Sequence, residues 1–152
     1  MYRLENTQII PVSLEEAWDF FSSPKNLNAI TPPDLSFEII SPESDIQRMY
    51  PGQIIRYKIQ PFPLLKMNWV TEITQVREKA FFIDEQRFGP YKFWHHQHHF
   101  IPVENGVEMR DLLHYDLSFG PLGSLMNSLV VQNKIEGIFN FRKKKVDELF
   151  VK

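Results

Sequence analysis

Apolar and polar residues alternate along most of this chain, and the longest alternating stretch, residues 91–117, is hinged at Asn105-Gly106. An Asn-Gly pair between two such runs predicts a β-hairpin, because a two-residue type I′ turn needs positive φ at both positions and twists as the strands do. With Asn105-Gly106 as the loop, Glu104 faces Val107, and the outward pairs are Phe100 with Asp111, His98 with Leu113, His96 with Tyr115 and Trp94 with Leu117. These side chains then share one face of the sheet. The other face sets His95, Gln97, His99 and Ile101 against Arg110, Leu112, His114 and Asp116, which is mostly polar, so the first face is expected to look inward.

The flanking patterns predict the remaining elements. Residues 2–12 form a first strand. Ser13-Leu14-Glu15-Glu16 is a capping box ahead of Leu14, Ala17, Trp18 and Phe21 at helical spacing. Ser23-Pro24 opens a second short helix with Leu27 and Ile30 on its apolar side, and Thr31-Pro32-Pro33 stops it. Period-two runs follow at Leu35-Phe37-Ile39, Ile55-Tyr57-Ile59, Met67-Trp69-Thr71-Ile73 and Phe82-Asp84-Gln86-Phe88, with a polar loop over residues 41–52. The prolines of Pro61-Phe62-Pro63-Leu64-Leu65 interrupt the pattern and put apolar side chains at a tip, read as a packed turn or the lip of a pocket.

From Gly120-Pro121, read as N-cap and N1, a helical pattern runs nearly to the end of the chain. Leu125, Ser128, Val131, Ile135, Ile138, Val146 and Leu149 make one stripe; Leu122, Met126, Leu129, Asn133 and Gly137 flank it. A helix of about thirty residues is roughly 45 Å long, enough to cross a sheet. Gly137 within it implies close packing, a kink or room for something bound. Strand, two short helices, six strands and a long helix add up to an α+β fold, a curved antiparallel sheet wrapped around the C-terminal helix with a gap between them.

The inward face of the hairpin mixes Trp94, Phe100, Leu113 and Leu117 with His96, His98, Asp111 and Tyr115, which is too polar for a plain core because buried polar groups need partners. It reads as a cavity wall. In a carrier, His96, His98, Asp111 and Tyr115 are polar anchors; Trp69, Trp94, Phe100, Leu113 and Leu117 are walls, and Asp84, Gln86 and Met126 complete the ligand-facing set. The same polar groups can instead satisfy one another, through a His96 to Tyr115 cross-strand bond and a His98 to Asp111 diagonal contact. In an enzyme they are the catalytic candidates: His96 or His98 a general base, Tyr115 an acid or oxyanion donor, and Asp111 orienting a ring. No nucleophile motif or phosphate loop accompanies them. A two-His, one-carboxylate metal set with Asp111 or Asp84 also comes into view, but the pleat leaves only two of the four adjacent histidines on any one face, and no metal or other cofactor is expected.

Composition narrows the classes. At 152 residues the chain is expected to be one domain, residues 1–152, with a core of its own. A net charge of −2 gives no electrostatic case for a nucleic-acid partner, and no apolar run is long enough for a transmembrane helix. Arg142-Lys143-Lys144-Lys145 is the one cationic cluster, and it complements the dipole at a helix C-terminus. The chain lacks cysteine and opens without a secretory pattern, so a cytoplasmic location is expected.

Several motifs together resemble the START-like, or SRPBCC, superfamily of the helix-grip fold. They are Ser23-Pro24-Lys25-Asn26-Leu27 with Ile30-Thr31-Pro32-Pro33, Asp84-Glu85-Gln86 with Gly89-Pro90-Tyr91, Trp94-x-His96-x-His98-x-Phe100, Asp111 with Tyr115, and Phe119-Gly120-Pro121-Leu122-Gly123. The likeness is greatest to small bacterial ligand-binding or polyketide cyclase/dehydratase-like proteins. It implies a hydrophobic cavity between sheet and C-terminal helix, holding a small lipid-like or aromatic molecule. The superfamily includes carriers and cyclases and shares no catalytic constellation, so no catalytic role follows from the resemblance.

Overall fold

The alternating runs resolve into strands in the computed structural model of the protein, which describes residues 1–62, 64–117 and 130–151. Strand β1 (Tyr2–Ile10) leads into helix α1 (Leu14–Phe21), capped by Ser13, whose Oγ accepts the Glu16 amide at 3.1 Å. The expected second helix is a 3-10 segment, Pro24–Ile30, with the proline in its first turn. Another 3-10 turn, Pro33–Leu35, ends at Ser36 with φ of 44°, so the strand expected from Leu35 starts later and is only the two-residue β2, Glu38–Ile39. Leu35 itself is buried. The loop that follows contains a 3-10 turn, Glu43–Ile46, which buries Ile46 against Ile55, Tyr57 and Ile73.

Strands β3 (Gln53–Phe62), β4 (Leu65–Arg77), β5 (Phe81–Phe88), β6 (Phe93–Val103) and β7 (Gly106–Asp116) run as an antiparallel meander. The seven-stranded sheet has the order β1-β7-β6-β5-β4-β3-β2, with the first strand beside the last. The β4–β5 ladder skips Thr74 on one strand and Arg87 on the other, and such extra residues bend and twist a sheet locally. Leu64, at the tip between β3 and β4, takes a φ of 64° and is 99% exposed, so the tip is not packed at this residue; Pro63 lies outside the described residues.

The central hairpin forms, but its register differs from the expected one. Val103 pairs with Gly106, so Glu104 and Asn105 are the loop and Gly106 is the first residue of β7. Gly106 takes a φ of +136°, and a Cβ there would lie 2.1 Å from the carbonyl oxygen of Ile10. The glycine thus serves the close approach of β1 rather than a type I′ turn. The pairs become Phe100 with Met109, His98 with Asp111, His96 with Leu113 and Trp94 with Tyr115. Because the slip is by an even number of residues, the facing of every side chain is kept.

Helix α2 (Gln132–Phe150) is entered from residues 130–131, which are already wound. Its Ile135 and Phe139 pack on Leu113 and Tyr115, and its Val146 joins Trp18, Phe21, Phe82 and Phe100. Gln8 ties the helix to β1 by donating to the Lys143 carbonyl at 2.9 Å and to Asp147 at 2.8 Å. The buried stripe therefore contains Phe139, while Leu149 is exposed. Gly137 is also exposed, with no atom within 4 Å of a built Cβ, so it does not serve close packing. The expected start at Gly120-Pro121 and the stripe residues Leu122, Leu125, Met126, Ser128 and Leu129 lie outside the described residues.

Candidate functional site

Between the inner face of the sheet, the two 3-10 turns after α1 and the underside of α2 is a cavity of about 200 Å³. Its walls are largely apolar. Leu27, Ile30 and Leu35 come from the 3-10 turns, Tyr57, Ile59, Trp69 and Ile73 from β3 and β4, Tyr91 from the β5–β6 turn and Trp94 from β6, with Ile138 above. Trp69, Tyr91 and Trp94 form an aromatic corner, with ring centroids 4.7 to 5.6 Å apart. The Trp69 indole N–H donates to Thr71 Oγ1 at 2.9 Å, so its polar atom is satisfied by the wall itself.

The polar part of the wall is built across three neighbouring strands. Asp84 on β5 stands opposite His96 on β6, and His98, two residues on, stands opposite Asp111 on β7. Strand alternation puts all four side chains on the inner face, where Asp84, His96 and His98 line the cavity and Asp111 sits behind them, 2% exposed. Asp84 Oδ2 lies 2.8 Å from His98 Nε2 and 3.5 Å from His96 Nδ1, and its other oxygen accepts the Trp94 indole N–H at 3.3 Å. Asp111 Oδ1 lies 3.2 Å from His96 Nε2. It is also 2.8 Å from His98 Nδ1, but off the line of a hydrogen bond, so that contact is one of charge. Phe82 stacks on the His98 ring at 4.2 Å, and the Phe139 and His96 rings meet in a T-shaped arrangement at 5.6 Å.

Charge in this cluster follows from its partners. Burial disfavours the charged form of each group. For His98 the opposing pull of Asp111 and Asp84 is stronger, and its pKa is raised. For His96 burial, reinforced by the neighbouring His98, prevails over the same carboxylates, and its pKa is lowered. Burial raises both carboxylates, but the two histidines outweigh it and hold Asp84 and Asp111 below the usual range. Two rings shifted in opposite directions therefore lie side by side, with centroids 3.8 Å apart, between two carboxylates held toward their ionised form. That arrangement pairs an acid with a base at a cavity wall, and one donor atom each from Asp84, His96 and His98 lies within 4.8 Å of the others, a spacing that also suits a divalent ion.

Of the side chains expected to face a ligand, Trp69, Asp84, Trp94, His96 and His98 line the cavity. The other described ones lie elsewhere. Phe100 belongs to the core beside Trp18 and Phe21, and Leu113 and Tyr115 pack under α2. With the register set at Val103 and Gly106, Tyr115 faces Trp94 instead of His96, which removes the expected His96 to Tyr115 bond. Gln86 bonds the backbone of Tyr91, donating to its carbonyl at 2.6 Å and accepting its N–H at 3.2 Å, and so holds the β5–β6 turn. Leu117 follows β7 and is not among the lining residues, and Met126 lies outside the described ones.

Lys134 and Arg142 line the cavity and were not expected there. Both fall with Ile138 at positions i, i+4 and i+8 of α2, a spacing readable in the sequence, but the basic run from Arg142 to Lys145 does not tell which of its members points inward. The structure separates that cluster: Arg142 turns inward, while Lys145 pairs with Glu148 at 2.6 Å on the outside.

A curved antiparallel sheet gripping a C-terminal helix, with two short helical segments after β1 and a cavity between, is the helix-grip α+β fold. Solved structures share it over nearly their whole length. A protein of Chromobacterium violaceum matches with a TM-score of 0.74 at 10% identity, covering 99% of this chain and 98% of the other. Ara h 8.0201 matches with a TM-score of 0.60 at 14% identity, over 95% and 97% of the two chains. A point mutant of a Thalictrum norcoclaurine synthase, solved with a transition-state analogue, matches with a TM-score of 0.66 at 14% identity, over 97% and 94%. At these identities the likeness is one of fold. No protein-family model matches the sequence, and no curated protein is significantly similar to it.

Proposed function

We propose that the chain is a single START-like/SRPBCC ligand-binding domain over residues 1–152, of the small ligand-binding or cyclase-like kind, that takes a largely apolar molecule into the cavity under α2. The observation that carries this is the cavity's build: aromatic and aliphatic walls with the Asp84, His96 and His98 groups converging at one place, which is how small-molecule sites are made. Asp84, His96 and His98 are the anchors that contact the ligand, Trp69, Trp94, Tyr91 and Tyr57 its walls, and Asp111 positions the rings from behind. Among the described residues no helix is long and apolar enough to cross a membrane. No nucleic-acid partner enters this reading, whose setting is cytoplasmic.

Native mass spectrometry of the purified protein tests the proposal. A bound small apolar compound, recovered after denaturation in about one equivalent, is the expected result; homogeneous empty protein that also takes up no apolar compound when supplied with a panel of them contradicts it.

A second reading, cyclase- or dehydratase-like catalysis, is favoured by one feature, two histidines in contact at the cavity wall whose pKa values are shifted in opposite directions. His98, held by Asp84, would give a proton and His96, held by Asp111, would take one. The norcoclaurine synthase neighbour supports the capacity of this fold for chemistry, though not for that reaction here. Recovery of a bound compound together with its cyclised or dehydrated form, with only the unreacted form retained by His96→Gln, is the outcome expected of an enzyme. A single unchanged compound from both proteins leaves a carrier.

A further inference from the structure

The proposed ligand-binding reading leaves the class of ligand open, and two buried donors at the cavity narrow it. Arg142 reaches the cavity from α2, and its Nε is buried without a hydrogen-bond partner among the described residues. Its guanidinium lies over the Phe139 ring at 5.5 Å, and no carboxylate among the described residues pairs with it. The other basic groups at the cavity are taken up: Lys134 by Asp34 at 3.4 Å, and His98 by Asp84 and Asp111 at 2.8 Å each. Ser23, at the start of the first 3-10 turn, also lines the cavity, and its Oγ too is buried with no partner among the described residues. Buried donors left without acceptors are costly, and proteins retain them where a ligand or substrate completes them.

The cavity's own acid does not fill this role. Asp84 is taken up by His98, His96 and Trp94 on the sheet. The cavity thus has a carboxylate bonded within the sheet and, on the helix, a cation without a counter-charge among the described residues, with apolar surface for the remainder. A planar guanidinium matches a carboxylate through two parallel N–H bonds, and one positive charge balances one negative charge. A phosphate monoester would bring close to two charges to this single uncommitted cation.

We infer that the ligand is a hydrophobic carboxylic acid, its carboxylate held by the Arg142 guanidinium with help from the Ser23 hydroxyl and its apolar body lying against Tyr57, Trp69 and Trp94. This inference rests on the cavity being the binding site, and the test separates the two.

Calorimetric titration of decanoate and of decanol, matched in chain length and differing in the acid group, is carried out on the wild-type protein, Arg142→Gln and Arg142→Lys at neutral pH. The wild-type protein is expected to bind decanoate roughly tenfold or more tightly than decanol. In Arg142→Gln that preference disappears, the two compounds binding alike, and in Arg142→Lys part of it survives. Equal affinity for the two compounds in the wild-type protein, or a preference that persists in Arg142→Gln, overturns the assignment and leaves the cavity reading standing. Binding of neither compound overturns both. Should Arg142→Gln fail to fold by circular dichroism, the wild-type comparison and Arg142→Lys decide the matter.

Discussion

At the residue scale, the four-residue cluster of Asp84, His96, His98 and Asp111 dominates the polar energetics of the interior. Asp111 faces both rings, so Asp111→Ala leaves the buried His96 Nε2 without its hydrogen-bond partner and His98 without its inner counter-charge, and is expected to cost about 3–5 kcal/mol by chemical unfolding. The cluster also ties stability to pH. His96 has a lowered pKa, so the unfolded chain takes up its proton first as pH falls below 6.5, and stability declines there. His98 has a raised pKa, so its contribution is full below 6.5 and is lost as pH rises through the folded-state value. The two depressed carboxylates add a further loss when pH falls below the ordinary value of 3.8. Stability should therefore peak near pH 6.5, and His96→Gln with His98→Gln should flatten both flanks of that peak. A wild-type unfolding free energy independent of pH between about 5 and 8 would refute this charge assignment. We further propose that protons rather than a metal hold the cluster, since His98 already lies within hydrogen-bond reach of Asp84. Elemental analysis of untagged protein should then find metal well below one equivalent, and a stoichiometric ion would reverse the assignment.

At the element scale, the central hairpin shows what local pattern conveys and where it stops. Alternation through Trp94, His96, His98 and Phe100 correctly gives the inward face of β6, because facing depends only on a period of two. The turn chemistry of Asn105-Gly106 misleads about register, because the glycine is needed for contact with β1, an element nearly a hundred residues earlier in the chain. Gly106→Ala would force a Cβ onto the Ile10 carbonyl at a positive φ, and a loss of more than about 1 kcal/mol is expected in thermal or denaturant unfolding. A neutral result would show that the β1 end is free to shift. The helix follows the same rule: Ile135 and Val146 are readable from 3.6-residue spacing, but the inward turn of Arg142 is not, since a run of four basic residues looks the same whichever one points in.

At the scale of the whole molecule, the α+β helix-grip architecture was legible because the order and length of the elements leave a sheet face that only a long helix can cover. The candidate site was legible in part. Asp84, His96, His98, Trp69 and Trp94 are cavity residues because they alternate into the interior on three consecutive strands. Phe100, Leu113 and Tyr115 share the same face yet are core, because α1 and the ends of α2 fill the space above them; alternation gives the side of the sheet, and only the placement of the covering elements decides which part of it stays open. The central claim is that this open part takes up an apolar molecule. Ile138 hangs over it from α2, so Ile138→Trp should fill the cavity while every residue of the sheet is left unchanged. The most direct test is calorimetric binding of decanol to the wild-type protein and to Ile138→Trp: saturable one-to-one binding by the first and at least a roughly tenfold loss in the folded second is predicted, and undiminished binding by the variant would contradict the claim.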